Sequence, residues 1–305
     1  METVDFNGLY NRKLRLGIVG LGLIGGSLAK AFREAIPNAV IVAFNRREEP
    51  RKRAFEEGVA DIVTADIDDS FAKCDYIFLC TPVEFNVDYL RKLKTVISPD
   101  CIITDAGSTK TNIHEAVIAE GLEANFIGGH PMAGSEKAGY EFSNIWLFKN
   151  AYYVITPTRL TKPDKLMELK QIVMSIGAKP VIIDEYAKHD YAVAGISHLP
   201  HIISAELTNL VKEVDTEDTL MKTLAANGFK DTTRIAASSP EMWQQICMTN
   251  ADNIVNLLDK YIDRLQEAKE RIKAHDEQYV YDMFMHSREY RNQFGNRLSG
   301  NPNDL

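Results

Sequence analysis

His130, Ser108, His198, His201 and Arg234 are the residues whose types and settings suit proton transfer or anion binding. His130 lies in the run Gly128-Gly129-His130-Pro131-Met132-Ala133-Gly134-Ser135-Glu136. Its flanking glycines allow close backbone approach to a ligand, and an imidazole exchanges protons near neutral pH. The ordinary alternative is a solvated loop histidine. Ser108, in Asp105-Ala106-Gly107-Ser108-Thr109-Lys110, either caps the next helix or holds a ligand hydroxyl. Both runs follow strand-like segments, and ligands of open α/β sheets bind beyond the carboxyl ends of strands. His198 and His201, in Ser197-His198-Leu199-Pro200-His201, share one helix face. Pro200 removes a helical hydrogen bond and should kink the helix there. Two such histidines could ligate a metal, but no third ligand like the glutamate of H-E-x-x-H accompanies them, so no metal is expected. The plain alternative is a pair satisfied in a helix–helix interface. Arg234, in Gly228-Phe229-Lys230-Asp231-Thr232-Thr233-Arg234, offers a bidentate fork to a carboxylate, or else pairs with an acid at an interface.

Gly20-Leu21-Gly22-Leu23-Ile24-Gly25 follows one strand-like run and opens a helical one. This is G-x-G-x-x-G in a β-α-β setting, a dinucleotide-binding arrangement. Gly20 permits the tight turn, Gly22 lets backbone approach the pyrophosphate, and Gly25 lets helix pack on strand. The helix N-terminus at Leu23 and Ile24 attracts the anion. The next strand ends at Phe44-Asn45, where an NAD-selective site usually carries an acid for the ribose 2′-OH. Asn45, Arg46 and Arg47 stand there instead. An amide and two guanidiniums do not repel a 2′-phosphate. NADP is therefore at least tolerated, and NAD or NADP stays open; both arginines facing solvent is the plain alternative.

The elements that must position these residues change character along the chain. Apolar, β-branched runs at Arg15–Val19, Val40–Phe44, Tyr76–Cys80, Cys101–Thr104, Asn125–Ile127, Tyr152–Ile155 and Pro180–Ile183 read as strands. Amphipathic stretches such as Ile24, Leu28, Phe32 lie between them. Continuous apolar strands alternating with helices indicate a parallel sheet covered on both faces. After Asp184 the strand signal ends. Asp184 reads as the N-cap of a long helix beginning near Glu185, and Ser239-Pro240-Glu241 as cap, first-turn proline and acidic first turn. Ile254, Leu258, Tyr261, Leu265, Ala268 and Ile272 repeat with a period of 3.5, marking a helix packed along a seam. Two domains are thus expected, 1–184 and 185–305, tightly apposed because no Pro/Gly-rich linker divides them.

At 305 residues, 45% hydrophobic and 26% charged, the chain has a globular composition. Its net charge of −8 argues against a nucleic-acid partner, which needs a basic surface. The four cysteines, Cys74, Cys80, Cys101 and Cys247, form no disulfide framework or zinc spacing and fit a reducing cytoplasm. The uncharged run Leu16–Ala29 after Asn11-Arg12-Lys13-Leu14-Arg15 has the outline of a secretory signal, but it holds five glycines and is too short to span a bilayer. No membrane partner is expected, and the polar tail 295–305 reads as frayed.

Taken together, GLGLIGGS (20–27), CTPV (80–83), DAGSTK (105–110), GGHPMAGSEKAG (128–139), SHLPH (197–201) and GFKDTTRIA (228–236) resemble the prephenate dehydrogenase family, the TyrA proteins of tyrosine biosynthesis. The resemblance covers about residues 14 to 290. It implies an α/β fold, a Rossmann-like dinucleotide-binding domain followed by an all-helical dimerisation and substrate-binding domain, and a homodimer. The implied reaction is oxidative decarboxylation of prephenate to 4-hydroxyphenylpyruvate, with hydride passing to NAD or NADP. In this likeness His130 polarises the substrate ring hydroxyl and Ser108 assists it. Arg234 binds a substrate carboxylate, His201 touches substrate and His198 supports it. Glu136, with Ser135 beside it, matches a gating acid, Lys230 is a further cation, and Trp243 is an aromatic on the helical side. Gly20, Gly22, Leu23, Ile24, Gly25, Asn45, Arg46, Thr81, Pro82 and Ser108 would hold the cofactor.

The chemistry agrees with that likeness. Hydride leaves the ring carbon that bears the hydroxyl, so a base on the hydroxyl helps electrons flow, typically by about 10²–10⁴-fold. Loss of CO₂ aromatises the ring, and neither step needs a metal. A substrate with two carboxylates requires an acidic protein to focus cations locally. Asn45 departs from the acid of NAD-using members. The chain leaves no room for a C-terminal regulatory ACT domain or, before Leu14, for a fused chorismate mutase, so feedback by tyrosine would act at the active site. Three other readings compete: an arogenate dehydrogenase; a β-hydroxyacid dehydrogenase using a lysine near Lys188, a segment dominated by His198 and His201; and a non-catalytic dinucleotide sensor.

Overall fold

The computed structural model describes residues 12–135 and 137–294, apart from the side chain of Glu84. Glu136 and the tail 295–305 lie outside the described residues. In chain order, β1 (Arg15–Val19), α1 (Leu23–Ala35), β2 (Val40–Phe44), α2 (Glu48–Glu56), β3 (Ile62–Thr64), β4 (Tyr76–Leu79), α3 (Val83–Lys94), β5 (Ile102–Asp105) and α4 (Thr111–Ala119) follow one another. The strands form a parallel sheet in the order β3-β2-β1-β4-β5. Alternate side chains of a strand point to opposite faces, which divides the apolar residues between two cores. Leu16, Ile18, Ile41, Ala43, Tyr76 and Phe78 pack with Leu28 and Phe32 of α1. Val42, Phe44, Ile77, Leu79 and Ile103 pack with Leu90 and Leu93 of α3 and with Ile113 and Val117 of α4. Each such fully buried side chain contributes about 1.5–3 kcal/mol. Register pairs Val19 with both Phe44 and Leu79, and Leu79 with Asp105. The carboxyl ends of four strands are therefore level, and the loops carrying Gly20, Asn45, Thr81 and Gly107 leave the sheet side by side.

A second sheet follows, of β6 (Ile127–Pro131), β7 (Tyr152–Pro157) and β8 (Lys179–Ile182), with α5 (Pro163–Ser175) between the last two. Here the sequence reading needs correction. β6 and β7 are antiparallel, and only β7 and β8 are parallel. The strand expected at 125–127 starts at Ile127 and runs on through His130, which pairs with Val154. His130 is therefore a strand residue and not a loop residue. The paired glycines make this possible, because Gly129 sits so close to its neighbours that a Cβ would lie 2.5 Å from the Asp105 carbonyl oxygen. A single bridge between Ile103 and Phe126 joins this sheet to β5.

From Tyr186 the described residues are helical: α6 (Tyr186–Val193), a π-turn (Ala194–His198), α7 (Leu199–Val214), α8 (Leu220–Leu224), α9 (Asn227–Thr233), a 3₁₀ turn (Arg234–Ala237), α10 (Pro240–Thr249), α11 (Ala251–Lys273) and α12 (Glu277–Arg291). Glu185, not Asp184, occupies the cap position of α6, and no side chain bonds there. Pro200 falls in the first turn of α7, directly after the π-turn. Its missing donor costs nothing there, because the first amides of a helix have no intrahelical partner. Ser239 caps α10 as expected, its Oγ accepting from the Met242 amide. By packing, the chain forms two compact units, one ending at Ile254 and one beginning at Val255. In the second unit Asp276 caps α12 by accepting from the Tyr279 amide at 3.0 Å. Leu265 and Ile272 of the 3.5-period seam are exposed, at 52% and 57%. No helix among the described residues is long and apolar enough to cross a membrane.

Candidate active site

The glycine loop fits a dinucleotide by its shape. Gly20 has φ +101°, a conformation that disfavours a side chain, and a Cβ there would lie 2.9 Å from Thr81 Cγ2. At Gly25 a Cβ would lie 1.9 Å from the Gly20 carbonyl oxygen, so this position must stay bare for α1 to lie against the turn. Gly22 has nothing within 4 Å of such a Cβ. It caps α1 without any side-chain hydrogen bond, and no acid occupies the first turn. Open space therefore meets free amides at a helix N-terminus, the setting that holds a pyrophosphate. Around this loop, Asn45 donates from Nδ2 to the Leu21 carbonyl at 3.1 Å and accepts from the Arg47 amide at 3.0 Å. Arg46 lies over the Phe85 ring at 5.0 Å. Thr81 donates to Asn86 Oδ1 at 2.7 Å, and Pro82 caps α3.

His130 is buried at the end of β6. Its Nδ1 lies 2.8 Å from Nε2 of His189, and His189 Nδ1 lies 2.8 Å from Oδ1 of Asp190. Asp190 accepts from the Lys110 amide at Oδ1 and the Thr111 amide at Oδ2, both at 2.7 Å. Lys110 is the N-cap residue of α4 and makes no side-chain cap of its own. The capping reading of Ser108 is therefore not realised; Ser108 is half-buried in the turn before that helix. Asp105 binds this turn to β6. It accepts from the Gly107 amide at 2.9 Å and the Gly129 amide at 3.0 Å, and pairs with the Nζ of Lys110. Both side chains of that pair are fully buried. Burial pushes the His130 pKa well below its ordinary value, helped by His189, Lys110 and His198. The imidazole is therefore neutral at physiological pH and available as a base.

His198, in the π-turn, is buried, and its Nδ1 accepts from Asn250 Nδ2 at 3.1 Å. The same amide group donates to the Asp190 carbonyl at 2.8 Å, and Asn250 Oδ1 accepts from Asn253 at 2.8 Å. Burial lowers the His198 pKa to about 4. His201 is half-buried, bonds the Ser197 carbonyl through Nδ1 at 2.8 Å and stacks on Trp243 at 3.6 Å. Burial lowers its pKa too, and Arg234 acts in the same direction, which sets that guanidinium close by. Trp243 also meets His198 edge-on at 5.9 Å, and its buried Nε1 has no hydrogen-bond partner among the described residues.

The remaining expected residues are not drawn into this cluster. Lys230 is exposed on α9. Ser135 is exposed and accepts from the Lys137 amide at 3.1 Å. No described acid forms an ion pair with exposed Arg234. Among the described residues no group of three or more His, Cys, Asp and Glu is placed to hold a metal. Sequence reasoning missed His189, Asp190 and Asn250, and it cited Asp105 and Lys110 only as flanks of Ser108. The dipeptide His189-Asp190 next to Lys188 was the available signal, but it has no motif spacing to His130.

Comparison with known proteins agrees with this geometry. The profile "Prephenate dehydrogenase, nucleotide-binding domain" matches residues 28–182, and "Prephenate dehydrogenase, dimerization domain" matches 185–286. The chain is 32% identical over 287 residues to prephenate dehydrogenase of Bacillus subtilis (strain 168), covering 93% of this chain and 76% of that one. The crystal structure of A. aeolicus prephenate dehydrogenase in complex with hydroxyphenyl propionate and NAD+ superimposes with a TM-score of 0.86 at 29% identity, covering 93% of this chain and 99% of that one. Arogenate dehydrogenase of Synechocystis superimposes with a TM-score of 0.81 at 33% identity, covering 92% and 100%. The chain belongs to the prephenate dehydrogenase family.

Proposed function

We propose that this chain catalyses the NAD(P)-dependent oxidative decarboxylation of prephenate to 4-hydroxyphenylpyruvate in tyrosine biosynthesis. The observation that carries the reading is the buried His130 on β6, linked through Asp105 to the turn bearing Ser108. His130 Nε2 takes the proton of the ring hydroxyl as hydride leaves the same carbon. Ser108 orients that hydroxyl from the adjoining turn. When bound, the nicotinamide supplies the hydride acceptor. The carbon–carboxylate bond then breaks, CO₂ departs, its electron pair completes the aromatic ring, and the phenolate oxygen takes the proton back from His130. Arg234 holds a substrate carboxylate, with Lys230 adding charge and with His201, His198 and Trp243 forming the wall. Glu136, with Ser135 beside it in sequence, gates substrate entry. Gly20, Gly22, Leu23, Ile24 and Gly25 hold the pyrophosphate, with Thr81, Pro82 and Ser108 further along the site. Asn45 and Arg46 face the adenosine ribose, and this acid-free corner admits NADP as well as NAD. The A. aeolicus relative, crystallised with hydroxyphenyl propionate and NAD+, supports this assignment.

Residues 1–184 serve as the dinucleotide-binding domain and 185–305 as the substrate and dimer domain, supported by the last strand ending at Ile182 and by the two profiles meeting there. The dimerization profile and the exposed apolar positions of α11 and α12 support a homodimer. Four free, widely spaced cysteines support a cytoplasmic location. A second reading, arogenate as substrate, rests on the 33% identity to the Synechocystis enzyme. The test is the absorbance of reduced nicotinamide with each of prephenate and arogenate against each of NAD and NADP. Turnover of prephenate is expected, and turnover of neither compound refutes the proposal.

A further inference from the structure

We propose that His189 and Asp190 are positioning residues for His130, fixing its proton on Nδ1 so that Nε2 stands free as the base. This deepens the functional reading and rests on it only for the identity of the group that gives up the proton. The inference follows from donor and acceptor bookkeeping along the chain His130–His189–Asp190. An ionised carboxylate only accepts hydrogen bonds. Asp190 already receives two backbone amides at 2.7 Å. Burial alone would raise its pKa, but the bonds from His189, Thr111 and Lys110 hold it below the usual carboxylate range. His189 must therefore donate from Nδ1 across the 2.8 Å contact. With one proton on each ring, His189 then has only a lone pair on Nε2. The 2.8 Å contact between that atom and His130 Nδ1 is filled by a proton belonging to His130. What remains on His130 is an unprotonated Nε2.

Two further features make the arrangement rigid. Asp190 cannot swing away, because its two oxygens satisfy the first amides of α4, whose own cap residue supplies no side-chain acceptor. The backbone carbonyl of Asp190 is held separately by Asn250. The groups facing the His130–His189 pair are Lys110 from α4, paired with Asp105 of β5, and His198 from the π-turn. Burial and Lys110 disfavour a resting charge on His130. Once Nε2 has taken a proton, the resulting imidazolium is separated from the Asp190 carboxylate by a single ring. This is the same logic by which a buried aspartate holds the imidazole of a serine protease in one tautomer.

The test has one readout that needs no substrate. Imidazole nitrogen NMR on the ¹⁵N-histidine-labelled chain, with His130 assigned by its loss in His130→Ala, reports which nitrogen carries the proton. Protonated Nδ1 and bare Nε2 are expected for both His130 and His189. A resting His130 protonated on Nε2 overturns the proposal, whatever the substrate proves to be and whether or not the His189 variants fold. The second readout is kinetic. His189→Leu should lower kcat by roughly 10²-fold, within the range from outer-shell partners to a triad carboxylate, with KM and cofactor affinity unchanged. His189→Gln keeps an acceptor for Nδ1–H and should recover part of that loss. A His189→Leu chain with wild-type kcat, or one whose melting temperature and KM worsen in step with kcat, overturns the positioning role. Failure of the wild-type chain on prephenate and arogenate alike strikes the functional reading alone, since the tautomer is read without either.

Discussion

In the proposed reaction, the chemistry is concentrated in one imidazole and the atoms that hold it. His130→Ala is expected to lower kcat by at least the roughly 10²–10⁴-fold attributed to general-base catalysis, with cofactor binding and melting temperature retained; loss of fold would mark His130 as structural. Only the neutral imidazole accepts a proton, so activity is lost as pH falls through its pKa. Since burial, with His189, Lys110 and His198 nearby, depresses that pKa, the acid limb of kcat/KM should lie below the ordinary histidine value of about 6.5. An acid limb above that value contradicts the environment seen around His130. Arg234, exposed and near His201, has the opposite signature. Arg234→Ala should raise KM for prephenate with little change in kcat, as loss of uniform binding does, and an unchanged KM removes it from the carboxylate role. The motif residues here were legible one by one. Their mutual tautomers were not, because the contact that sets them joins residues 59 apart.

At the scale of elements, the glycine loop separates two functions that its motif merges. Gly25 is needed for packing, because a Cβ would meet backbone at 1.9 Å; Gly22 faces open space. Gly25→Ala should cost about 1–3 kcal/mol of stability, the range for overpacking, and lose cofactor binding with it. Gly22→Ala should leave the melting temperature unchanged and weaken cofactor affinity, measured by fluorescence titration. Unchanged affinity would place the pyrophosphate elsewhere. The β-α-β order and the switch to helices after Asp184 were readable from hydrophobic periodicity, since period and length are local properties. The antiparallel turn of β6 and the strand status of His130 were not. Both depend on glycines pressed against Asp105 and Thr156, which are distant in sequence. The π-turn at Ala194–His198, directly before Pro200, was likewise not readable from local sequence.

For the molecule as a whole, buried neutral histidines tie stability to pH. Burial lowers His114 to about 4, and His198 likewise to about 4. His114 is bonded to Thr156 at 2.8 Å and stacked on Tyr186. Unfolded, both take up protons near pH 6.5, so the unfolded chain binds more protons between pH 6.5 and 4. Stability is thus full above pH 6.5 and declines as pH falls toward 4, by at most about 1.4 kcal/mol per unit for each histidine. Urea midpoints at pH 7, 5.5 and 4 should fall in that order, and His114→Gln should flatten the trend; midpoints independent of pH would refute it. The exposed seam of the second unit makes a separate prediction. Leu265→Asp together with Ile272→Asp should convert a dimer to monomers in light scattering, and a dimer that persists means another face is used.

By itself, the sequence determined the kind of protein this is: the glycine loop, the order of strands and helices, the family, and the candidate imidazole and guanidinium. Each of these follows from residue types at short, regular spacing, where local geometry leaves few alternatives. Tertiary structure alone decided which group disciplines that imidazole. His189, Asp190 and Asn250 enter through hydrogen bonds spanning 52 to 80 positions. Such bonds form only once burial has removed the competing water, and no periodicity along the chain records them.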